Sequence, residues 1–123
     1  MNNKKLGNSF EIEFCDLLKS CGYWVHFMHP SASGSQPCDI IACKDNIPFL
    51  FDCKTCKDKV FRLNRLEDNQ KFAFYSFERS GNVNCYVAVK HNNQVYIVSY
   101  DILKSFGKVE LSDEFLFEEQ GFN

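Results

Sequence analysis

The chain has 123 residues, 45% of them hydrophobic and 15% aromatic, enough apolar matter for one packed domain and too little length for two. No apolar run approaches the roughly 20 residues that span a bilayer, and Met1-Asn2-Asn3-Lys4-Lys5 lacks a signal peptide's apolar stretch, so a soluble cytoplasmic protein without membrane contacts is expected. The net charge of −2 argues against a nucleic-acid partner only until its distribution is considered: residues 110–123 form an acidic C-terminal segment with five acids and no Lys or Arg, which leaves fourteen basic against eleven acidic residues before it.

Residues 8–21 show helical spacing, with Phe10, Phe14, Leu17, Leu18 and Cys21 on one stripe, Asn8 or Ser9 as a cap and Gly22 as a stop. Glu11 shares a row with Cys15 and Leu18 at the edge of that stripe, so it is the acid of this helix that can reach inward. A first-turn acid placed for the helix dipole would occupy the same position. Tyr23 to Met28 reads as a strand. The small, polar, turn-forming residues 29–37 then predict a surface loop leading into Asp39, either a plain connector or a rim where Ser31, Ser33 and Ser35 meet substrate.

The next segment is the most informative. Cys38-Asp39-Ile40-Ile41-Ala42-Cys43 and Ile47-Pro48-Phe49-Leu50-Phe51-Asp52-Cys53-Lys54 have strand length and composition, and the polar gap Lys44-Asp45-Asn46 suits a tight turn. Such a hairpin can set Asp39 beside Asp52. Alternation puts Asp52 and Lys54 on one face while Phe51 and Cys53 point the other way. Two close carboxylates repel unless they share a proton or a hard cation, for which Mg²⁺ is the usual choice, and a lysine alongside can orient or deprotonate a metal-bound water. The bland alternative is a set of strand-end charges with a surface Asp52–Lys54 pair. Lys57, Lys59, Arg62 and Arg65 follow within a dozen residues of Asp52-Cys53-Lys54, as a solvated basic loop or, next to a metal site, a phosphate-binding rim.

Leu66 to Arg79 predicts a second helix, with Phe72, Phe74, Tyr75 and Phe77 as its apolar surface and Gly81-Asn82 as its end. Cys85 to Lys90 and Gln94 to Tyr100 predict a hairpin about His91-Asn92-Asn93, and Asp101 to Phe106 a short helix. The acidic end, with Phe115, Leu116, Phe117 and Phe122, either packs on the body or frays. The order is α-β-β-β-α-β-β: an α/β fold with one mixed sheet flanked by helices, a single domain over residues 1–123. Seven cysteines without a secretion signal are better explained as small apolar residues than as disulfides. A zinc site built on Cys53-x-x-Cys56 with Cys38 and Cys43 is the lesser alternative, because Cys53 should face the core.

In this order, Gly7-x-x-x-Glu11 on a first helix, Pro37-x-Asp39, and Asp52-Cys53-Lys54 resemble the PD-(D/E)XK nuclease superfamily with its restriction-endonuclease-like core. More narrowly, Phe61-x-Leu63, Asn69-Gln70 opening a helix, and the Tyr86-Val87 and Val95-Tyr96 strands are similar to Holliday-junction resolvases of the archaeal and RecU types. The likeness covers roughly residues 7–103. It implies a Mg²⁺-dependent endonuclease, with Mn²⁺ able to substitute, acting on branched or double-stranded DNA. Glu11, Asp39 and Asp52 would be the metal-binding acids, the Cys53 carbonyl would complete the shell, Lys54 would serve the attacking water, and Gln70 would contact metal-bound water or substrate. Lys57, Lys59, Arg62 and Arg65 would hold flanking phosphates. Junction resolution needs two opposed cuts and so implies a homodimer. This chain departs from the family in three ways: its second acid is Asp where Glu is commoner, residues 29–37 are too few for a RecU-type stalk, and a strong basic excess is absent. The competing functions are another nuclease of this fold (restriction-like, flap or single-strand) and an inactive domain that binds nucleic acid or protein.

Overall fold

The computed structural model describes residues 3–28, 36 and 38–123. Helix α1 (Asn3–Ser20) starts upstream of the expected cap, because the polar residues before Asn8 carry no apolar spacing to announce a helix. It ends as expected: Gly22 takes φ +90°, open to a residue without Cβ, and its N–H bonds the Lys19 carbonyl. The Lys44 ammonium donates to the freed Cys21 carbonyl at 2.7 Å.

Strands β1 (Trp24–Phe27), β2 (Ile40–Lys44) and β3 (Ile47–Thr55) form an antiparallel meander. The β2–β3 turn places Asp45 and Asn46 at φ 53° and 68°, the two positive values that a two-residue type I′ turn requires and that Asp and Asn tolerate. The Asn92–Asn93 turn between β5 (Cys85–His91) and β6 (Gln94–Ser99) repeats that chemistry at φ 50° and 61°. Between β3 and β5 run β4 (Val60–Arg62), a short 3₁₀ turn (Leu63–Arg65) and helix α2 (Asp68–Arg79). This crossover lets β3 and β5 pair in parallel. The five-stranded sheet has the order β1-β2-β3-β5-β6.

Two expectations need correction, and one open alternative is resolved. The basic stretch after Lys54 is not simply loop: β4 pairs antiparallel with β7 (Lys108–Glu110) beyond helix α3 (Tyr100–Phe106), making a separate two-stranded sheet. On α2 only Phe74 is fully buried. Phe77 is partly covered, while Phe72 and Tyr75 are 70% and 53% exposed, so they do not supply an inward surface. The acidic end packs, with Phe117 and Phe122 buried and its acids outward.

The sheet separates two apolar layers. On one side Phe10, Phe14, Cys15 and Leu18 of α1 meet Ile40, Ala42, Phe49, Phe51, Cys53, Ala88 and Ile97, and Phe122 closes the layer against Phe49, Phe51 and Tyr86. On the other, Leu50, Val87, Val89 and Val98 pack under Phe74 of α2, Leu103 of α3 and Phe61 of β4. Alternation along β3 therefore sends Phe49, Phe51 and Cys53 to the α1 side, and Leu50, Asp52 and Lys54 to the α2 side.

Candidate active site

Register brings the two key acids together. Ile40 faces Phe51, so Asp39, one residue before β2, stands across from Asp52, and its N–H bonds the Phe51 carbonyl at 3.1 Å. Asp39 Oδ2 accepts from the Cys53 N–H at 2.8 Å, which turns its carboxylate toward the strand that carries Asp52. Both acids are buried, Asp52 completely.

Helix α2 supplies the rest of the cluster. Its first turn is a capping box: Glu67 accepts from the Gln70 N–H while Gln70 Oε1 accepts from the Glu67 N–H at 2.9 Å. That fixes the Gln70 amide so that Nε2 donates to Asp52 Oδ1 at 2.7 Å. The Lys54 ammonium sits 3.4 Å from Gln70 Oε1 and 3.2 Å from Asp52 Oδ2. Lys54 is close enough to Oδ2 to attract it but is not aligned to bond it, so Oδ2 is a buried acceptor without a hydrogen bond. A single lysine does not neutralise the pair. Burial and the neighbouring Asp39 charge push the Asp52 carboxyl well above the usual range, with Lys54 opposing.

Glu11 approaches from α1 and is half-buried. Burial first, then Asp39, raises its carboxyl to about 7 against the pull of Lys54. It feels the pair electrostatically but stands back from it: among the described residues no three His, Cys, Asp or Glu side chains converge into a metal-holding group. The structure thus joins Asp39, Asp52, Lys54 and Gln70 and leaves Glu11 in an outer position. The donor set still fits a hard divalent cation, because the available groups are carboxylate oxygens, one of them buried and without a hydrogen bond. A zinc site is disfavoured by placement: Cys53 lies in the α1-side layer and Cys38 in the α2-side layer, on opposite faces of the sheet.

Of the predicted phosphate contacts, Lys57, Arg62 and Arg65 line one pocket beside the end of β3, together with Thr55 and Asn64, which the sequence did not single out. Lys59 is absent from that pocket and pairs instead with Glu110 at 3.4 Å. Ser31, Ser33 and Ser35 lie outside the described residues. Glu67 was also missed, although Glu67-x-x-Gln70 ahead of an apolar helix carries the spacing of a capping box.

Comparison with known proteins adds an independent line. A family model described as archaeal Holliday junction resolvase (Hjc) matches residues 2–115. The crossover junction endodeoxyribonuclease Hjc of Methanocaldococcus jannaschii is 32% identical over 108 residues, covering 88% of this chain and 76% of that protein. Among solved structures, Archaeoglobus fulgidus Hjc, a Holliday junction resolvase from an archaeal hyperthermophile, superposes with a TM-score of 0.74 at 18% identity, covering 95% of this chain and all of that one; at that identity it speaks for the fold alone.

Proposed function

The chain belongs to the archaeal Holliday junction resolvase family, and we infer that its active site is the Asp39–Asp52–Lys54–Gln70 cluster, which hydrolyses phosphodiester bonds of branched DNA. The observation that carries this reading is the buried Asp39–Asp52 pair with an acceptor oxygen left without a hydrogen bond and an ammonium 3.2 Å away. Such an arrangement is unfavourable in a protein of purely structural purpose and suits one that receives a cation.

Asp39 and Asp52 would hold Mg²⁺, with the Cys53 carbonyl beside them and Glu11 contributing charge from α1; Mn²⁺ has the same preference for oxygen. Mg²⁺ when bound supplies a Lewis acid that lowers the pKa of a water and offsets charge gathering on phosphorus. The protein's own part is positional. The Cys53 N–H and Gln70 amide fix one oxygen of each carboxylate. Lys54, held between Asp52 and Gln70, orients the attacking water and steadies the phosphate oxygens as the phosphorus–oxygen bond to the leaving sugar breaks.

Two opposed cuts call for two sites, and a homodimer supplies them. Trp24 (61% exposed) and His26 stack on each other on the sheet face that α2 also covers, and Phe72 and Tyr75 stand one helical turn apart on the outside of α2. These exposed aromatics are the surface the dimer would bury. Phe72→Glu is expected to halve the mass measured by light scattering; an unchanged mass refutes this interface. The function itself is tested on a four-way junction against a duplex of identical arms, with Mg²⁺ and with EDTA. Paired, symmetric nicks confined to the junction and lost in Asp39→Ala support it. Equal cutting of the duplex favours a general nuclease, and full activity of Asp39→Ala removes the assigned site.

A further inference from the structure

The two-stranded β4–β7 sheet is not needed to build the acid cluster, yet it carries the densest basic segment of the chain. Between its first strand and the end of β3 lies a cavity of about 380 Å³ lined by Thr55, Lys57, Asp58, Arg62, Asn64 and Arg65, among others. Its walls are set in place by the fold. Arg65 Nη2 donates to the Thr55 carbonyl at 2.8 Å, and the guanidinium lies over the Phe61 ring at 5.5 Å. The Cys56 N–H bonds the Lys90 carbonyl, and the Cys56 carbonyl meets His91 Nδ1, both at 2.9 Å. Leu63 is tied to Gly107 and Leu111 to Lys59 through their backbones. Among the described residues neither Lys57 nor Arg62 has an ion-pair partner, whereas Lys59 spends its charge on Glu110.

Three cations, a hydroxyl and an amide converging on one concavity, against the single carboxylate of Asp58, are the recognition chemistry of a phosphate diester. Thr55 lies three residues beyond Asp52 on the same strand, about 10 Å away at about 3.3 Å per residue. That lies between the through-space separations of phosphates about one and about two nucleotides apart on a B-form strand. We propose that this pocket is a discrete subsite for one backbone phosphate flanking the scissile bond, with Arg65 as a fixed wall and Lys57 and Arg62 as the groups that close on the anion. The proposal rests on the DNA-cleaving reading above and adds to it a defined second point of attachment, one that sets which phosphate enters the acid cluster.

The test is junction binding in EDTA, where no strand is cut, measured across a salt series for the wild-type protein, the Lys57→Ala/Arg62→Ala double variant, Lys59→Ala and Asp58→Asn. Loss of one phosphate contact lowers the slope of log affinity against log salt by about 0.9 and weakens binding roughly tenfold at moderate salt. The double variant is expected to show both changes and Lys59→Ala a smaller one, while Asp58→Asn binds severalfold tighter. An unchanged slope in the double variant, or a Lys59→Ala loss as large as its own, overturns the subsite. Failure of the broader reading looks different: the wild-type protein would then leave the junction intact in Mg²⁺ whatever the salt slopes show.

Discussion

Replacing Asp52 by Asn separates the cost of holding this site ready from its use. The side chain is fully buried, its Oδ1 is bonded by Gln70, and its Oδ2 has no hydrogen bond. Asn keeps the shape and the Gln70 bond and removes the repulsion from Asp39, at the cost of the attraction between Oδ2 and the Lys54 ammonium 3.2 Å away. A buried polar group without a partner costs about 1–3 kcal/mol. For a domain of this size that corresponds to roughly 4–12 °C in melting temperature. The pH dependence has a definite sign. The folded-state pKa of Asp52 lies above its unfolded value, so the wild-type advantage of a neutral carboxyl is present below about pH 4 and is lost as pH rises through the folded value. Asp52→Asn should therefore outlast wild type by more in EDTA at pH 8 than at pH 4, where the margin is small. Adding Mg²⁺ should reverse the order, raising the melting point of wild type alone, while junction cleavage by the variant falls by at least about 10³-fold. Calorimetry at the two pH values, with EDTA and with Mg²⁺, reads all of this. A variant that melts lower than wild type at pH 8 in EDTA, or gains as much from Mg²⁺, refutes the reasoning.

Lys54→Met should leave divalent-ion binding measurable by titration calorimetry while slowing cleavage about 10²–10⁴-fold, the range for a positioned proton-handling group; retained cleavage would show that the ammonium is only a counter-charge. Gln70→Ala removes the Gln70 half of the capping box and the Asp52 bond, and is expected to cost about 1–3 kcal/mol in urea unfolding and to slow cleavage. An unaltered urea midpoint would mean that another group takes over both bonds. With Glu11 raised to about 7, protons compete with cations at this carboxylate below neutrality, so cleavage at limiting Mg²⁺ should fall as pH drops through about 7. Glu11→Gln should lower the rate and flatten that limb of the profile; a limb that survives the substitution assigns it to another group.

What the sequence disclosed, and what it hid, follows from the range of the interactions. The β2–β3 hairpin and the faces of Asp52, Cys53 and Lys54 were legible because alternation and a two-residue turn act within a few residues. The β4–β7 pair was not. Its strands have three residues each, stand far apart in sequence, and are made largely of charged residues (Arg62, Lys108 and Glu110) with Lys59 adjoining, so local composition reads as solvated chain. Phe72 and Tyr75 resembled Phe74 in every local respect, and only the position of the sheet distinguishes the buried ring from the exposed ones. The fate of the acidic end depended on whether a groove existed for Phe117 and Phe122, which no local pattern states. For the site, pairing of Asp39 with Asp52 was readable from register, while the outer position of Glu11 depends on how α1 lies across the sheet. Gln70 entered through family likeness; the physical reason, a cap that doubles as a clamp on Asp52, emerged only from the geometry.

Strand β3 serves both halves of the protein at once. Phe49, Phe51 and Cys53 anchor one interior, and Leu50, Asp52 and Lys54, interleaved with them, furnish the other interior and the chemistry. Selection for robustness and selection for turnover therefore act on adjacent peptide units that share a backbone. Enlarging Cys53 to fill space beneath α1 would displace the amide that grips Asp39. A thermostabilising programme on this nuclease would do better to begin at the periphery, on α3 or the 110–123 segment, and leave this one ribbon alone.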